Sequence, residues 1–211
     1  MKINKVDQKK VVPKTDLSRA AVKHFKLYMQ ELNQALKDID QNELVNFVNL
    51  INEAREQKRR VFIVGNGGSA STASHWATDM SKGLHHAGVN AVSAVSLTDN
   101  TAWISAAAND LGYQHIFTDQ LRSQAQPGDL LITISASGNS KNIIHAIGYA
   151  RTHEIKTLSI VGFDGGKAKI VSDYCLHIPT LHGRYGVAED AQLILNHYIC
   201  DFLVRQSSDN Y

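Results

Sequence analysis

The hydrophobic positions of this chain repeat at two different spacings along its length. Near the N-terminus, the spacing is three and four, at Val22, Phe25, Met29, Leu32 and Leu36. This period predicts an amphipathic helix over residues 16–39, with Asp16 as its cap. Asp40 and Glu43 then form a capping-box-like pair, which predicts the start of a second amphipathic helix. The two helices precede the first strand, and they are placed either to cover the domain or to pair with another subunit.

From residue 58 onward, the pattern changes to short, almost continuous apolar runs. These runs predict strands over residues 61–65, 91–97, 130–137, 157–163 and 175–179. Helices are predicted between and after them, over residues 69–84, 99–109, 113–124, 141–153, from about 166, and 187–205. Apolar strands of this kind are typical of a parallel sheet covered on both faces. Together with the strand–helix alternation, they predict an α/β fold: a doubly wound, five-stranded parallel sheet flanked by helices.

Length and charge narrow the possible functions. The 211 residues suit one domain, expected over residues 16–211 after a basic tail over residues 1–15. Lys+Arg of 22 against Asp+Glu of 20 gives no argument for nucleic acid or an acidic membrane. No apolar run approaches the roughly 18 residues of a membrane span, and the head lacks a secretory signal. Cys175 and Cys200 show no CxxC spacing, so we expect buried free thiols in a cytoplasmic protein.

A glycine loop over residues 65–69, Gly-Asn-Gly-Gly-Ser, follows the first strand and opens a helix. Glycines let the backbone N–H groups turn toward an anion, and Ser69 can cap the helix or donate its hydroxyl. The loop lacks the GK[ST] of a P-loop and the third glycine of the dinucleotide fingerprint. Taken alone, it fits an ordinary strand-to-helix turn about as well as an anion site.

A second loop, over residues 135–140, reads Ser-Ala-Ser-Gly-Asn-Ser and follows the third strand. Its hydroxyls suit a phosphate monoester, although serines also cap ordinary turns. Because ligands bind beyond the carboxyl ends of parallel strands, two such loops at one edge favour a phosphate site. Asp99 follows the second strand at the same edge, where it either caps a helix or binds sugar hydroxyls.

Two pairs of ligand-type residues lie on predicted helices. His75 and Asp79 are four residues apart, so their side chains share a face. Glu189 and His197 are eight apart on the last helix and can also share a face. Two histidines and two carboxylates are typical ligands of a divalent metal, most plausibly zinc. Each residue alone would be an ordinary surface or core residue, so the prediction depends on their convergence.

In combination, these segments resemble the sugar isomerase (SIS) domain family, and most closely its phosphoheptose isomerase branch. The resemblance covers residues 17–203. The segments that carry it are, in chain order, residues 65–69, 97–99, 109–113, 135–140 and 162–166. It implies a homotetramer with the N-terminal helices in the interface and active sites shared between subunits. It also implies conversion of sedoheptulose 7-phosphate to D-glycero-D-manno-heptose 7-phosphate, for lipopolysaccharide or capsule.

The resemblance also implies roles for particular residues. Substrate and phosphate would be bound by Asn66, Gly67, Ser69, Asp99, Ser135, Ala136, Ser137 and Ser140. Zinc would be held by His75, Asp79, Glu189 and His197. The resemblance makes Asp79 the base and His197 the acid of an ene-diolate mechanism, while Glu189 is an equally suitable base on chemical grounds.

Three positions depart from the family pattern. Asp79 stands where the family has a glutamate, and Glu189 where it has a glutamine. The family's Asp-Arg pair before that glutamine is not matched, because residues 184–188 read Arg-Tyr-Gly-Val-Ala. We therefore expect the far end of the sugar to be recognised differently.

A competing hypothesis is a non-catalytic SIS module that binds a phosphosugar or a protein such as a replication initiator. His197 favours the enzyme, since a relative of that kind replaces this histidine by a non-ligand.

Overall fold

The structure, a computed structural model, describes residues 14–207, with side chains from residue 16 onward. The helices are α1 Lys14–Lys37, α2 Gln41–Glu56, α3 Gly68–Thr78, α4 Leu84–His86, α5 Thr101–Asp110, α6 Ile116–Gln124, α7 Lys141–Thr152, α8 Gly166–Val171 and α9 Tyr185–Ser207. The strands are β1 Arg60–Gly65, β2 Ser93–Ser96, β3 Leu130–Ser135, β4 Lys156–Val161 and β5 Tyr174–His177. The predicted basic tail lies outside the described residues, apart from the helical backbone of Lys14 and Thr15.

The five strands form one parallel sheet in the order β2-β1-β3-β4-β5, which confirms the predicted fold class. The chain leaves β1 toward one edge and then crosses back to place β3 on the other side of β1. This reversal opens a crevice between the carboxyl ends of β1 and β3, where sheets of this type bind ligands. The two predicted phosphate loops follow these two strands, so the topology brings them together.

Both faces of the sheet are covered. In β1, Val61 and Ile63 pack in the cluster formed by α1, α2, α3 and α9, while Phe62 and Val64 pack against α5, α6 and α7. Successive strand residues point to opposite faces, so a strand buried on both sides must be apolar at every position. This explains the continuous apolar runs.

Within residues 14–207, no helix combines the length and apolarity needed to cross a bilayer.

The helix signals were right about position and partly wrong about detail. Asp40 caps α2, and its carboxylate accepts from the N–H groups of Asn42 and Glu43 at 2.8 and 3.1 Å. The Glu43 carboxylate does not complete the box; it accepts from the backbone N–H of His177 at 2.7 Å. Glu43 therefore ties α2 to the edge strand β5, which local sequence does not reveal.

The predicted helix over residues 69–84 contains an irregularity. After α3, the chain widens into a π-helical segment, Asp79–Gly83, before α4. Such π-turns are rare and frequently lie at functional sites. Asp79, a predicted metal ligand, is the first residue of this segment.

The apolar stripe of α1 divides into two parts. Leu32 and Ala35 are buried against the body of the chain, whereas Val22, Phe25 and Met29 are exposed. Phe25 leaves 64% of its surface accessible. The N-terminal part of α1 thus presents an apolar face that the described residues leave uncovered.

The cysteines are unpaired, as predicted, but only partly buried. Burial raises the pKa of each thiol to about 12, with smaller contributions from Glu43 beside Cys175 and Asp79 beside Cys200. The raised pKa disfavours the thiolate, which is the nucleophilic form of cysteine.

Candidate active site

The glycine loop turns sharply between β1 and α3. Gly67 is the residue that precedes α3 and has a φ of 55° and a ψ of −123°, a conformation that glycine adopts without strain. Ser69 therefore lies inside the first turn and does not cap the helix, which corrects the capping expectation. Its hydroxyl is 3.5 Å from Oε1 of the buried Gln192 of α9. The loop is thus joined to the last helix of the chain.

The serine loop makes hydrogen bonds within itself, between its backbone and its hydroxyls. The N–H groups of Gly138 and Asn139 donate to the hydroxyls of Ser135 and Ser137 at 3.0 and 3.3 Å. Ser140 precedes α7, and its hydroxyl makes no capping bond. Because that hydroxyl is not used by the helix, it remains able to donate to a ligand.

A cavity of about 200 Å³ lies between the two loops. Its lining contains most of the residues predicted to bind phosphate: Asn66, Ser69, Ser135, Ala136, Ser137 and Ser140, together with Ile134, Tyr185 and Glu189. The walls offer hydroxyls and backbone N–H groups at a helix N-terminus, which suit a phosphate. Gly67 lies beside the cavity in the same loop.

A pair of amides fastens the two loops to each other. Asn66 Nδ2 donates to Asn142 Oδ1 at 3.0 Å, and Asn142 Nδ2 donates back to Asn66 Oδ1 at 2.8 Å. Tyr113 adds a third element, since its hydroxyl donates to Asn66 Oδ1 at 3.0 Å. Most of the hydrogen-bonding capacity of the Asn66 amide is therefore used within the protein, leaving mainly one N–H for a ligand.

Three of the four predicted metal ligands converge beyond this cavity. Asp79 Oδ2 lies 3.0 Å from His75 Nε2 and 3.8 Å from His197 Nε2, and the two Nε2 atoms are 3.4 Å apart. Asn196 Nδ2 donates to the same carboxylate oxygen at 2.7 Å. Asn196 is fully buried, so it holds Asp79 in a fixed orientation.

The chemistry of this cluster fits a divalent metal. Two imidazole nitrogens and one carboxylate oxygen lie within 4.8 Å of one another. Zinc bound at about 2.1 Å in a tetrahedron separates its ligands by about 3.4 Å, close to the separations observed here. The side chains of His75 and His197 are 43% and 58% exposed, which leaves room for a non-protein ligand. Three protein ligands with an open position are typical of catalytic sites.

Glu189 does not join the three-residue cluster. An added Cβ at Gly68 would lie 2.4 Å from Glu189 Oε2, so the carboxylate rests over the glycine loop and lines the phosphate cavity. Burial, and secondarily the negative charge of Asp190, raise the pKa of Glu189. Glu189 and His197 do lie on one helix, but two turns of α9 separate them. The four-ligand arrangement inferred from sequence is therefore not assembled within this chain.

Asp99 lies away from the cavity, in a network of hydroxyls. Its Oδ1 accepts a short hydrogen bond from Ser74 and a longer one, 3.4 Å, from Thr98. It does not cap α5; Asn100 does, accepting from Trp103 N–H at 3.0 Å. Asp99 thus supports the segment of α3 that carries His75.

Three supporting residues were missed from sequence: Asn142, Gln192 and Asn196. All three are buried polar side chains with hydrogen-bond partners at the site. The available signal was weak: Asn196 directly precedes a predicted ligand, and Gln192 directly precedes the apolar run of residues 193–195. A buried amide must be hydrogen-bonded, but the sequence does not say to what.

Comparison with known proteins agrees with this geometry. The SIS domain family matches residues 24–162, about two thirds of the chain. The chain belongs to the SIS domain family. A phosphoheptose isomerase of Helicobacter pylori (strain P12) is 36% identical over 183 residues, covering 87% of this chain and 93% of the relative. Relatives from Chlorobium phaeobacteroides and Sulfurimonas denitrificans, 34% and 31% identical, carry the same name.

Solved structures agree with the sequence relatives. Phosphoheptose isomerase GmhA from Neisseria gonorrhoeae superposes with a TM-score of 0.78 at 29% identity, covering 89% of this chain and 98% of that one. A phosphoheptose isomerase from Francisella tularensis gives 0.77 at 22% identity, covering 92% and 100%, and so supports the fold. The resemblance inferred from the loops is confirmed.

Proposed function

We propose that this SIS-family chain is an aldose–ketose isomerase that converts sedoheptulose 7-phosphate to D-glycero-D-manno-heptose 7-phosphate. The observation that carries the proposal is the spacing between the phosphate cavity and the three-residue cluster. Helices α3 and α9 contribute residues to both: Ser69 and Glu189 to the cavity, His75 and His197 to the cluster. At about 1.5 Å per residue, Ser69 and His75 are separated by about 9 Å, and Glu189 and His197 by about 12 Å. An extended sugar phosphate of heptose size has comparable length, so its phosphate and its reacting carbons would reach the two parts together.

Isomerisation requires a base for the carbon-bound proton and a group that moves a proton between the two oxygens. Asp79 Oδ2 is engaged by His75 and Asn196, while no hydrogen bond to Oδ1 is found among the described residues. Asp79 Oδ1 is therefore placed to take the proton from one carbon and return it to its neighbour. His197, more than half exposed, transfers the proton between the oxygens. The serines, by binding the phosphate, hold the reacting carbons of the substrate near Asp79 and His197.

We propose that His75, Asp79 and His197 hold zinc. When bound, the ion supplies positive charge that polarises the carbonyl and stabilises the ene-diolate oxygen. Asn196, as a neutral donor to Asp79, supports such a site by fixing the carboxylate without changing its charge. Glu189, at the phosphate end, is neither ligand nor base in this proposal.

Turnover of sedoheptulose 7-phosphate by the purified chain tests the proposal. Fructose 6-phosphate and ribulose 5-phosphate, assayed in parallel, test selectivity, because a shorter sugar anchored by its phosphate leaves its carbonyl carbon short of Asp79. We expect the heptulose phosphate to give the highest kcat/KM. Conversion of none of these ketose phosphates, with zinc bound, would refute isomerase activity; preference for a shorter one would refute only the heptose assignment.

Glu189→Gln is predicted to stabilise the protein at neutral pH. Because the pKa of Glu189 is raised in the folded state, the unfolded chain releases this proton first, and folding stability falls as pH rises through the folded pKa. The amide removes this cost and also the repulsion toward a bound phosphate. We expect a higher Tm than wild type at pH 7, a smaller difference near pH 4, and a lower KM. A Tm difference that does not depend on pH would contradict the account.

We further propose a homotetramer with the N-terminal half of α1 in the interface and active sites at subunit boundaries. The exposed apolar face of Val22, Phe25 and Met29 supports this, since contiguous exposed apolar patches mark interaction surfaces. Phe25→Glu is predicted to shift the mass measured by light scattering from tetramer toward smaller species. Ile170→Glu, at an exposed apolar residue of α8, serves as the control and should leave the mass unchanged. A tetrameric Phe25→Glu variant would contradict this interface.

The unpaired cysteines support a cytoplasmic location, and we propose a role in lipopolysaccharide or capsule synthesis. The non-catalytic alternative is less well supported, because three ligand-type side chains converge and the similar relatives are named as isomerases.

A further inference from the structure

The first turns of α9 carry two pairs of residues that face different neighbours. Tyr185 and Glu189 line the phosphate cavity, whereas Gly186 and Asp190 face Tyr28 of α1. Residues four apart share a helix face, so these pairs form two adjacent strips on the same turns. A contact that fixes one strip therefore also fixes the other.

Tyr28 makes a close contact with the second strip. Its hydroxyl donates to Asp190 Oδ2 at 2.5 Å. The same hydroxyl lies 3.0 Å from where a Cβ at residue 186 would stand, so the glycine makes room for it. Burial and the Asp190 carboxylate raise the pKa of Tyr28 to about 12, so the phenol remains a donor at neutral pH.

Glu31, one turn further along α1, holds the residue before α9. Arg184 Nε and Nη2 both reach Glu31 Oε2, at 2.7 and 2.5 Å. The guanidinium carbon also lies 5.8 Å from the centre of the Tyr28 ring. Helix α1 thus grips the chain on both sides of the cavity-lining residues, at position 184 and at position 190.

We propose that Tyr28 and Glu31 are positioning residues, which fix the turn of α9 that places Tyr185 in the wall of the phosphate cavity. Neither residue lines the cavity itself. The assignment rests on the proposed function, and it concerns the region where the family's Asp-Arg pair is not matched. Small displacements of binding groups lower affinity strongly, so a contact outside the cavity can set the KM.

The test uses the full-length chain and three variants: Tyr28→Phe, Glu31→Arg, and Glu31→Arg combined with Arg184→Glu. For the two single variants, we expect KM for sedoheptulose 7-phosphate to rise about threefold to tenfold, with kcat within about twofold. The same variants should bind inorganic phosphate more weakly, measured as a smaller phosphate-induced Tm increase. The double reversal should recover most of the loss caused by Glu31→Arg.

A matched control is the Lys156–Glu53 ion pair, which also joins a helix to another element and is similarly exposed. Glu53→Arg should leave KM and phosphate binding unchanged. The proposal is overturned if Tyr28→Phe and Glu31→Arg lower the Tm but leave KM and phosphate binding unchanged. It is also overturned if the double reversal does not restore KM. Absence of turnover in the wild-type chain would refute the isomerase proposal only, because the phosphate measurements still test positioning.

Discussion

Replacing Asp79 by asparagine is expected to lower kcat by a factor of about 100 to 10,000, the range typical of lost general acid–base catalysis. The amide keeps the shape of the side chain and can still face His75, but its oxygen cannot take a proton from carbon. Steady-state assays with sedoheptulose 7-phosphate measure the effect. Because phosphate is bound at the other end of the site, KM should change much less than kcat.

Asp201→Asn is the matched control for this substitution. Asp201 lies on α9 and is ion-paired only on the surface, with Arg205, so the variant should keep wild-type kcat. Zinc content measured on the same preparations separates two causes. Lost turnover with retained zinc assigns the base to Asp79, whereas lost turnover with lost zinc assigns it the role of ligand. A kcat within a few-fold of wild type would contradict both roles.

Removing the metal is expected to reduce turnover to about one per cent or less, because the carbonyl then loses its Lewis acid. Dialysis against a chelator should also lower the Tm, since an ion that binds only the folded chain contributes about 2.7 kcal/mol at a free concentration 100 times its Kd. Adding back zinc should restore both properties. Activity that survives complete removal of metal would refute the metal-assisted mechanism.

His75→Ala should behave like the metal-free protein and should not recover when zinc is added. His85→Ala is the control: His85 follows on α4 and contacts only the ring of His86 among the aromatic contacts found. That variant should bind zinc and turn over substrate as wild type does. Equal zinc content in the His75→Ala variant and in wild type would contradict the assignment of His75 as a ligand.

Strand and helix positions could be read from the sequence because each depends on local spacing. The strands around Val61 and Leu130 are buried on both faces of the sheet, and such strands are apolar at nearly every position. The common edge of the two Gly- and Ser-rich loops was also accessible, since both follow strands, but the strand order that sets β1 beside β3 was not. The π-turn at Asp79 was not, because its cause is the fit of the helix to its neighbours rather than a local motif.

Within the site, three of the four predicted ligands, His75, Asp79 and His197, lie together in the structure, whereas Glu189 does not join them. His75 and Asp79 are close because they lie four apart on a helix. Glu189 was assigned to the same cluster by analogy of position. In the folded chain its carboxylate lies over Gly68, because the crossing of α3 and α9 brings His197, and not Glu189, to Asp79.

Residues 61–80 carry most of the first strand, the glycine loop and the helix that bears His75. The sequence by itself determined that this stretch is a strand, a glycine-rich turn and a helix with two ligand-type side chains, since each property depends on residues close along the chain. Only the tertiary structure decided that the serine loop closes the cavity, that Asn196 orients Asp79, and that Tyr28 grips α9. The contacts of Asn196 and Tyr28 join residues more than a hundred positions apart, and the two loops follow different strands. The packing of the whole fold sets these distances.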